Sequence, residues 1–260
     1  MMQIKDNCWK IEGTKQHYFL KKYKNHKIYD KVKTILQAKI PFVSPALSYR
    51  EPFIVFPWLE GRAANYSKHE DCQRVYYMLQ QFHDAGKACV EVAPPLQLEA
   101  KWHFRYQQFQ MLKEVKEVLG TAFDDLVRVA EFSLLRATFP RGDVTLLHGD
   151  VAHHNFLLEP KDSYIIDLDL ASAGTEAEEF TLWMHRLLPH FSYDLYQLLE
   201  VLPQLEQFRE SFPLLLFPNE LLREWLFFYE DEAFQPYLKA MTIFALERWP
   251  TLHQQIMTLK

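Results

Sequence analysis

The spacing of apolar positions changes character near Gly61. Before it, WKIEGTKQHYFLKK (9–22) alternates apolar and polar residues on either side of Glu12-Gly13-Thr14, the pattern of a β-hairpin. HKIYDKVKTILQA (26–38) places Ile28, Val32, Ile35 and Leu36 on one helical face, and Pro41 and Pro45 end that helix. Phe53 to Phe56 predict a buried strand running into a turn at Pro57 and Gly61. Beyond Gly61 the helical period dominates. It predicts helices over 68–92, over 99–119 with Trp102, Phe104, Phe109, Leu112 and Val115 facing inward, and over 121–139. The short segments VTLLHGD (144–150), HNFLLEP (154–160) and SYIIDLDLA (163–171) interrupt this period. It resumes over 176–260, punctuated by Pro189, Pro203, Pro213, Pro218 and Pro236. The expected architecture is α+β and two-lobed. A small N-terminal β lobe covers 1–61, and a larger helical C-terminal lobe covers 62–260 and carries the chemistry-bearing loops.

Those loops hold the most informative residues. His-Gly-Asp at 148–150 closes one apolar segment, Asn155 follows five residues later, and a second apolar run, Tyr164 to Ile166, ends at Asp167. If the two strands pair as a hairpin, Asp150, Asn155 and Asp167 surround one point. Mg2+ takes oxygen ligands, commonly one or two carboxylates together with substrate phosphates. A further carboxylate can then orient or deprotonate an attacking hydroxyl. Asp and Asn are also ordinary strand-end residues because they bond nearby backbone, and that reading competes for each one singly. It competes poorly for all three in this order between two apolar strands. His148, His153 and His154 offer zinc ligands as another possibility, with no cysteine nearby to complete the set.

Composition narrows the function classes. The 260 residues are 48% hydrophobic, enough for a substantial core. A net charge of −5 argues against a surface built to neutralise nucleic-acid phosphates. The odd number of cysteines (Cys8, Cys72, Cys89) reads as free thiols in a reducing compartment. MMQIKDNCWK lacks the apolar core of a signal peptide, and no apolar run approaches the ~20 residues that span a bilayer. A cytoplasmic protein without membrane or nucleic-acid partners is the expectation.

HGDxxxxN followed by an apolar strand ending in IDxD resembles the signature of the aminoglycoside phosphotransferase and choline kinase superfamily, which has the protein-kinase-like fold. The resemblance implies ATP and Mg2+ as cofactors and a small-molecule acceptor. It makes Asp150 the catalytic base, Asn155 and Asp167 the metal ligands, and Asp169 a second acidic position. FLKKY (19–23) resembles the strand carrying the phosphate-pairing lysine, here Lys21. PFIVFPWLEG resembles the hinge, with Trp58 and Leu59 at the adenine, and QQFHDAG (80–86) resembles a helix end common in the family. KWHFRYQQF and FPNELLREWLFFYED are similar, more narrowly, to kinase-like proteins of the bacterial spore coat. That likeness implies possible spore-coat partners and a spore-associated location.

The sequence departs from the family pattern in three places. The helix expected to hold a glutamate for Lys21 contains only Asp30 as an acid. Met1 to Cys8, where a phosphate-covering loop belongs, contain no glycine. Glu179 stands where an aspartate usually anchors the catalytic loop. His148 reads as a structural residue of the Asp150 loop and His83 as a buried helix residue. Trp225, Phe227, Phe228 and Tyr229 read first as core. Glu176, Glu178 and Glu179 suit a cationic acceptor or a solvated face. Two functional readings follow: an ATP- and Mg-dependent phosphotransferase acting on a small-molecule hydroxyl, or a kinase-like pseudoenzyme with a scaffold role.

Overall fold

A computed structural model describes residues 1–159 and 162–259; Pro160, Lys161 and Lys260, at the edges of two expected segments, lie outside the described residues. The chain forms two compact units, Met1–Leu96 with Asp143–Glu176 and Gln97–Gly142 with Ala177–Lys260.

The first unit begins with a strand that the periodicity does not predict, β1 (Met2–Lys5), exposed at every position and so without an in/out alternation. It is followed by β2 (Cys8–Glu12), β3 (His17–Lys22), helix α1 (His26–Gln37), β4 (Ser48–Arg50) and β5 (Phe53–Pro57). The five strands form an antiparallel sheet in the order β1-β2-β3-β5-β4. The expected hairpin is β2–β3, closed by a bond from the Gly13 N–H to Gln16 O at 3.0 Å. A tighter turn, Asp6-Asn7, joins β1 to β2. Asn7 takes φ +63°, a left-handed conformation that asparagine tolerates better than most residues. Asn25 caps α1, its Oδ1 accepting from the backbone N–H of Lys27 at 2.9 Å.

The unit continues with β6 (Arg62–Ala63) and α2 (His69–Gly86), which runs into a 3-10 turn over Lys87–Val92. Arg62 grips Asp71 with both terminal nitrogens, at 2.5 and 2.7 Å, and the Asn65 N–H donates to the same carboxylate at 2.8 Å. The Arg62 hydrogen bond holds the Asp71 carboxyl below its usual range, against the opposing effect of burial. A carboxylate with a depressed folded pKa stabilises the fold fully above its unfolded pKa. That contribution is lost as pH falls through the folded value. Asp71→Asn is therefore expected to lower Tm at pH 6 and to flatten its decline below about pH 4, measured by thermal melts from pH 6 to pH 3.

Four further strands complete the unit: β7 (Val144–Leu147), β8 (Phe156–Leu158), β9 (Ser163–Ile165) and β10 (Ser172–Thr175). Gly86 ends α2 against β7, where a Cβ would lie 2.7 Å from the Leu146 Cβ, so the close helix–strand approach needs glycine. The strands leading to Asp150 and Asp167 do not pair with each other, contrary to the hairpin expected from their spacing. β7 pairs with β10, while β9 pairs with β8, which also pairs with β6. β8 and β9 are close in sequence and pair locally, and β7 finds its partner only after the chain has turned past Asp167.

The second unit is helical: α3 (Leu98–Gln110), α4 (Lys113–Leu119), α5 (Thr121–Arg136), α6 (Glu176–Leu187), α7 (Leu195–Val201), α8 (Asn219–Phe228) and α9 (Gln235–Leu259). The helix expected over 99–119 is broken at Met111 and Leu112, where Leu112 leaves helical geometry at ψ 87°. Trp102, Phe109 and Val115 are buried, but Phe104 is exposed, because two residues of helix turn it about 200° from Trp102. Trp225 lies in the core and donates its Nε1–H to Thr242 Oγ1 at 2.9 Å. Phe227, two residues past Trp225, faces solvent for the same helical reason, and Phe228 is partly exposed with its ring against Phe234, so the aromatic set is not all core. Glu179 and His83 are wholly buried, and the three cysteines are buried free thiols. No helix among the described residues is long and apolar enough to cross a membrane.

Candidate active site

β7 delivers the chain to His148, which is wholly buried. The imidazole Nε2 bonds to the carbonyl of Ile166 at 2.8 Å, and its Nδ1 accepts from the Asp150 N–H at 3.2 Å. A carbonyl only accepts, so this pair of bonds selects the neutral Nε2–H tautomer. His148 thus ties the Asp150 loop to the strand that ends at Asp167. Gly149 takes φ +79°, and a Cβ there would sit 2.0 Å from the Leu170 carbonyl oxygen. Only glycine fits between these two loops.

Asn155 is buried at the end of a 3-10 turn, His153–Asn155. Its Nδ2 donates to the Asp150 backbone oxygen at 2.9 Å and to Asp150 Oδ2 at 3.1 Å. On its other side the β8–β9 register is extended by one residue, with the Ile166 N–H donating to Asn155 O at 3.0 Å. Asp167 follows at once with φ +63°, leading into a 3-10 turn over Leu168–Leu170. Side-chain bonds on one edge of Asn155 and strand pairing on the other therefore gather Asp150, Asn155 and Asp167.

Lys21 of β3 meets Asp167 Oδ1 and Asp169 Oδ1, each at 2.8 Å, with little of its side chain exposed. Burial opposes its charge, but the two carboxylates outweigh burial and raise its pKa. Burial likewise opposes ionisation of Asp167, but Lys21, helped by Lys5, holds that carboxyl below its usual range. Asp169 goes the other way: burial and repulsion from Asp167 exceed the pull of Lys21. The phenol of Tyr23 is also raised, by burial and then by the same two aspartates. Asp30, the acid on α1, pairs with His26 at the surface instead of meeting Lys21. The residue that α1 does send inward is Lys31, which donates to the carbonyls of Asp169 and Ala171, each at 2.8 Å.

Lys5, Lys21, His154, Asn155 and Asp167 supply polar lining to a cavity of about 380 Å3 within the first unit, with both lysines against Asp167. The rest of its lining is largely apolar, with Phe19, Val32, Leu36, Val43, Leu157 and Ile165 among it, and Phe56, Pro57, Trp58 and Leu59 line it as well. The Trp58 N–H is used by the sheet, donating to His17 O at 3.2 Å, and Lys10 lies over its ring at 4.4 Å. Asp150 joins the cavity residues through Asn155. No zinc set forms: both nitrogens of His148 are committed, and no three His, Cys, Asp or Glu side chains among the described residues are grouped to hold a metal.

The sequence reading missed Lys5 and Lys31. Lys31 left a signal, since it stands beside Val32 on the stripe that α1 buries. Lys5 left none, because β1 shows no alternation.

The sequence-family model described as "Phosphotransferase enzyme family" matches residues 6–192, well over half of the chain. The chain belongs to this family. Solved structures of similar fold are low in sequence identity and nearly complete in coverage. An aminoglycoside phosphotransferase from Alicyclobacillus acidocaldarius is 15% identical at TM-score 0.65, over 99% of this chain and 92% of that one. A macrolide 2'-phosphotransferase from Brachybacterium faecium is 14% identical at TM-score 0.59, over 90% and 87%. A spectinomycin phosphotransferase in complex with ADP and spectinomycin is 14% identical at TM-score 0.55, over 93% and 89%. No curated protein matches the chain in sequence. This phosphotransferase-family chain has the α+β kinase-like fold, a small antiparallel sheet followed by a helical C-terminal region.

Proposed function

We propose that this family member transfers the γ-phosphoryl group of ATP to a hydroxyl of a small molecule. The observation that carries the reading is the gathering of Asp150, Asn155 and Asp167 at the cavity that Lys21 also lines. Asp150 receives the proton of the acceptor hydroxyl as its oxygen bonds to the γ-phosphorus and the bond to the ADP oxygen breaks. Lys21 pairs with phosphate oxygens, and the lining at Trp58 and Leu59 takes the base. The donor chemistry suits Mg2+. Asp167 is kept ionised by Lys21, and Asn155, with its nitrogen turned to Asp150, has its amide oxygen left to coordinate. Bound there, the ion would offset the charge on the transferring phosphates. The ADP complex of the spectinomycin phosphotransferase supports a nucleotide as the donor.

Thermal shift tests the reading. Mg-ATP at 100 times its Kd is expected to stabilise the protein by about 2.7 kcal/mol, and Asp167→Ala should remove most of that shift. A protein whose melt does not respond to Mg-ATP would be a kinase-like scaffold and not a phosphotransferase. A shift that survives Asp167→Ala would remove this residue from the metal site.

A further inference from the structure

Lys5 and Lys21 are joined by one row of the front sheet. Lys5 is paired with Cys8 across β1–β2, and Cys8 with Lys21 across β2–β3. Directly opposed residues lie on the same sheet face, so the three side chains project together, and all three line the cavity. The outcome is visible at Asp167, where Lys21 approaches Oδ1 at 2.8 Å and Lys5 approaches Oδ2 at 3.9 Å. Two lysines carried two strands apart thus converge on opposite oxygens of one carboxylate.

This geometry bears on how phosphate is covered. A loop that wraps phosphates with backbone N–H groups needs glycine, because the backbone must approach closely and turn through left-handed conformations. Met1 to Cys8 contain none. The β1–β2 connection is instead a two-residue turn with Asn7 at positive φ, too tight to wrap a ligand. Its last strand residue before the turn is Lys5, whose ammonium already reaches Asp167 in the cavity.

Resting on the nucleotide reading above, we propose that Lys5 is a phosphate-binding residue, and that the β1–β2 hairpin covers the triphosphate with a side-chain cation and not with backbone amides. Lys21, nearly enclosed, supplies the fixed charge from the sheet. Lys5, two-thirds exposed, supplies a solvated one from the edge strand. A solvated charge contributes to affinity in a salt-dependent way.

Isothermal calorimetry with Mg-ATP and with adenosine, on the wild type, Lys5→Met and Lys5→Arg, tests this. Lys5→Met is expected to weaken Mg-ATP by about tenfold, leave adenosine unchanged, and reduce the salt dependence of Mg-ATP binding. Lys5→Arg should restore most of the affinity. Equal Mg-ATP affinity in wild type and Lys5→Met would overturn the proposal. A loss shared by adenosine would do the same, since Lys5 would then act through the fold and not on phosphate. A wild type that binds no Mg-ATP fails one step earlier and sinks the nucleotide reading together with this one.

Discussion

Asp150→Asn is expected to lower kcat by about a thousandfold while Mg-ATP affinity stays within about twofold. Asparagine keeps the shape of the side chain, and its amide oxygen can still accept from Asn155 Nδ2, which now bonds Asp150 Oδ2 at 3.1 Å. The loop therefore stays in place. What disappears is the capacity to accept a proton from the acceptor hydroxyl. Neither Lys21 nor Asp167 is altered, so the nucleotide end should bind as before. The measurement is ADP release in the presence of whichever acceptor supports turnover in a screen, alongside calorimetric Mg-ATP binding. Turnover near the wild-type rate would remove Asp150 from the chemistry. A parallel loss of binding would mean that it acts on the nucleotide rather than on the acceptor.

Gly149→Ala is expected to be the most damaging single methyl group in the first unit. The backbone there has φ +79°, and the new Cβ would meet the Leu170 carbonyl oxygen at 2.0 Å and its carbon at 2.8 Å. The left-handed conformation alone costs an alanine roughly 1–2 kcal/mol. Relieving the contact must push the Asp150 loop away from the turn after Asp167, against the His148 bonds that fasten them. We expect a loss of about 3 kcal/mol or more, read as a Tm drop of roughly 10 °C, with activity lost in the remaining folded protein. Gly142→Ala is the control: a Cβ there has nothing within 4 Å, and Tm should not move. Equal Tm values for the two variants would show that the loops yield to one another.

How far the sequence could be read depended on how local each determinant is. The order of Asp150, Asn155 and Asp167 was legible because a 3-10 turn and a short hairpin, both set by near neighbours, bring them together. The family fold was legible for the same reason, through motifs of eight or ten residues. Which strands pair was not, since the partner of β7 lies beyond Asp167 and depends on the chain having already turned. The break at Met111 and Leu112 carries no glycine or proline to announce it. α1 offers no glutamate to Lys21, and Asp30 does not reach it, so its partners were not legible from the neighbouring sequence. In the folded chain its counter-charges come from Asp167 and Asp169, some 146 residues away at the nearer one.

Lys31 gives α1 an attachment of a different kind from an ion pair. Its ammonium is held by two peptide carbonyls, of Asp169 and Ala171, neither of which titrates or exchanges partners as charge in the cavity changes. A change of charge at the Asp169 carboxylate alters the attraction that Lys31 feels but leaves both carbonyls in place to accept from it. A helix fastened this way works as a fixed bracket: its position is decided when the chain folds, and swinging it outward would cost both bonds whatever occupies the cavity.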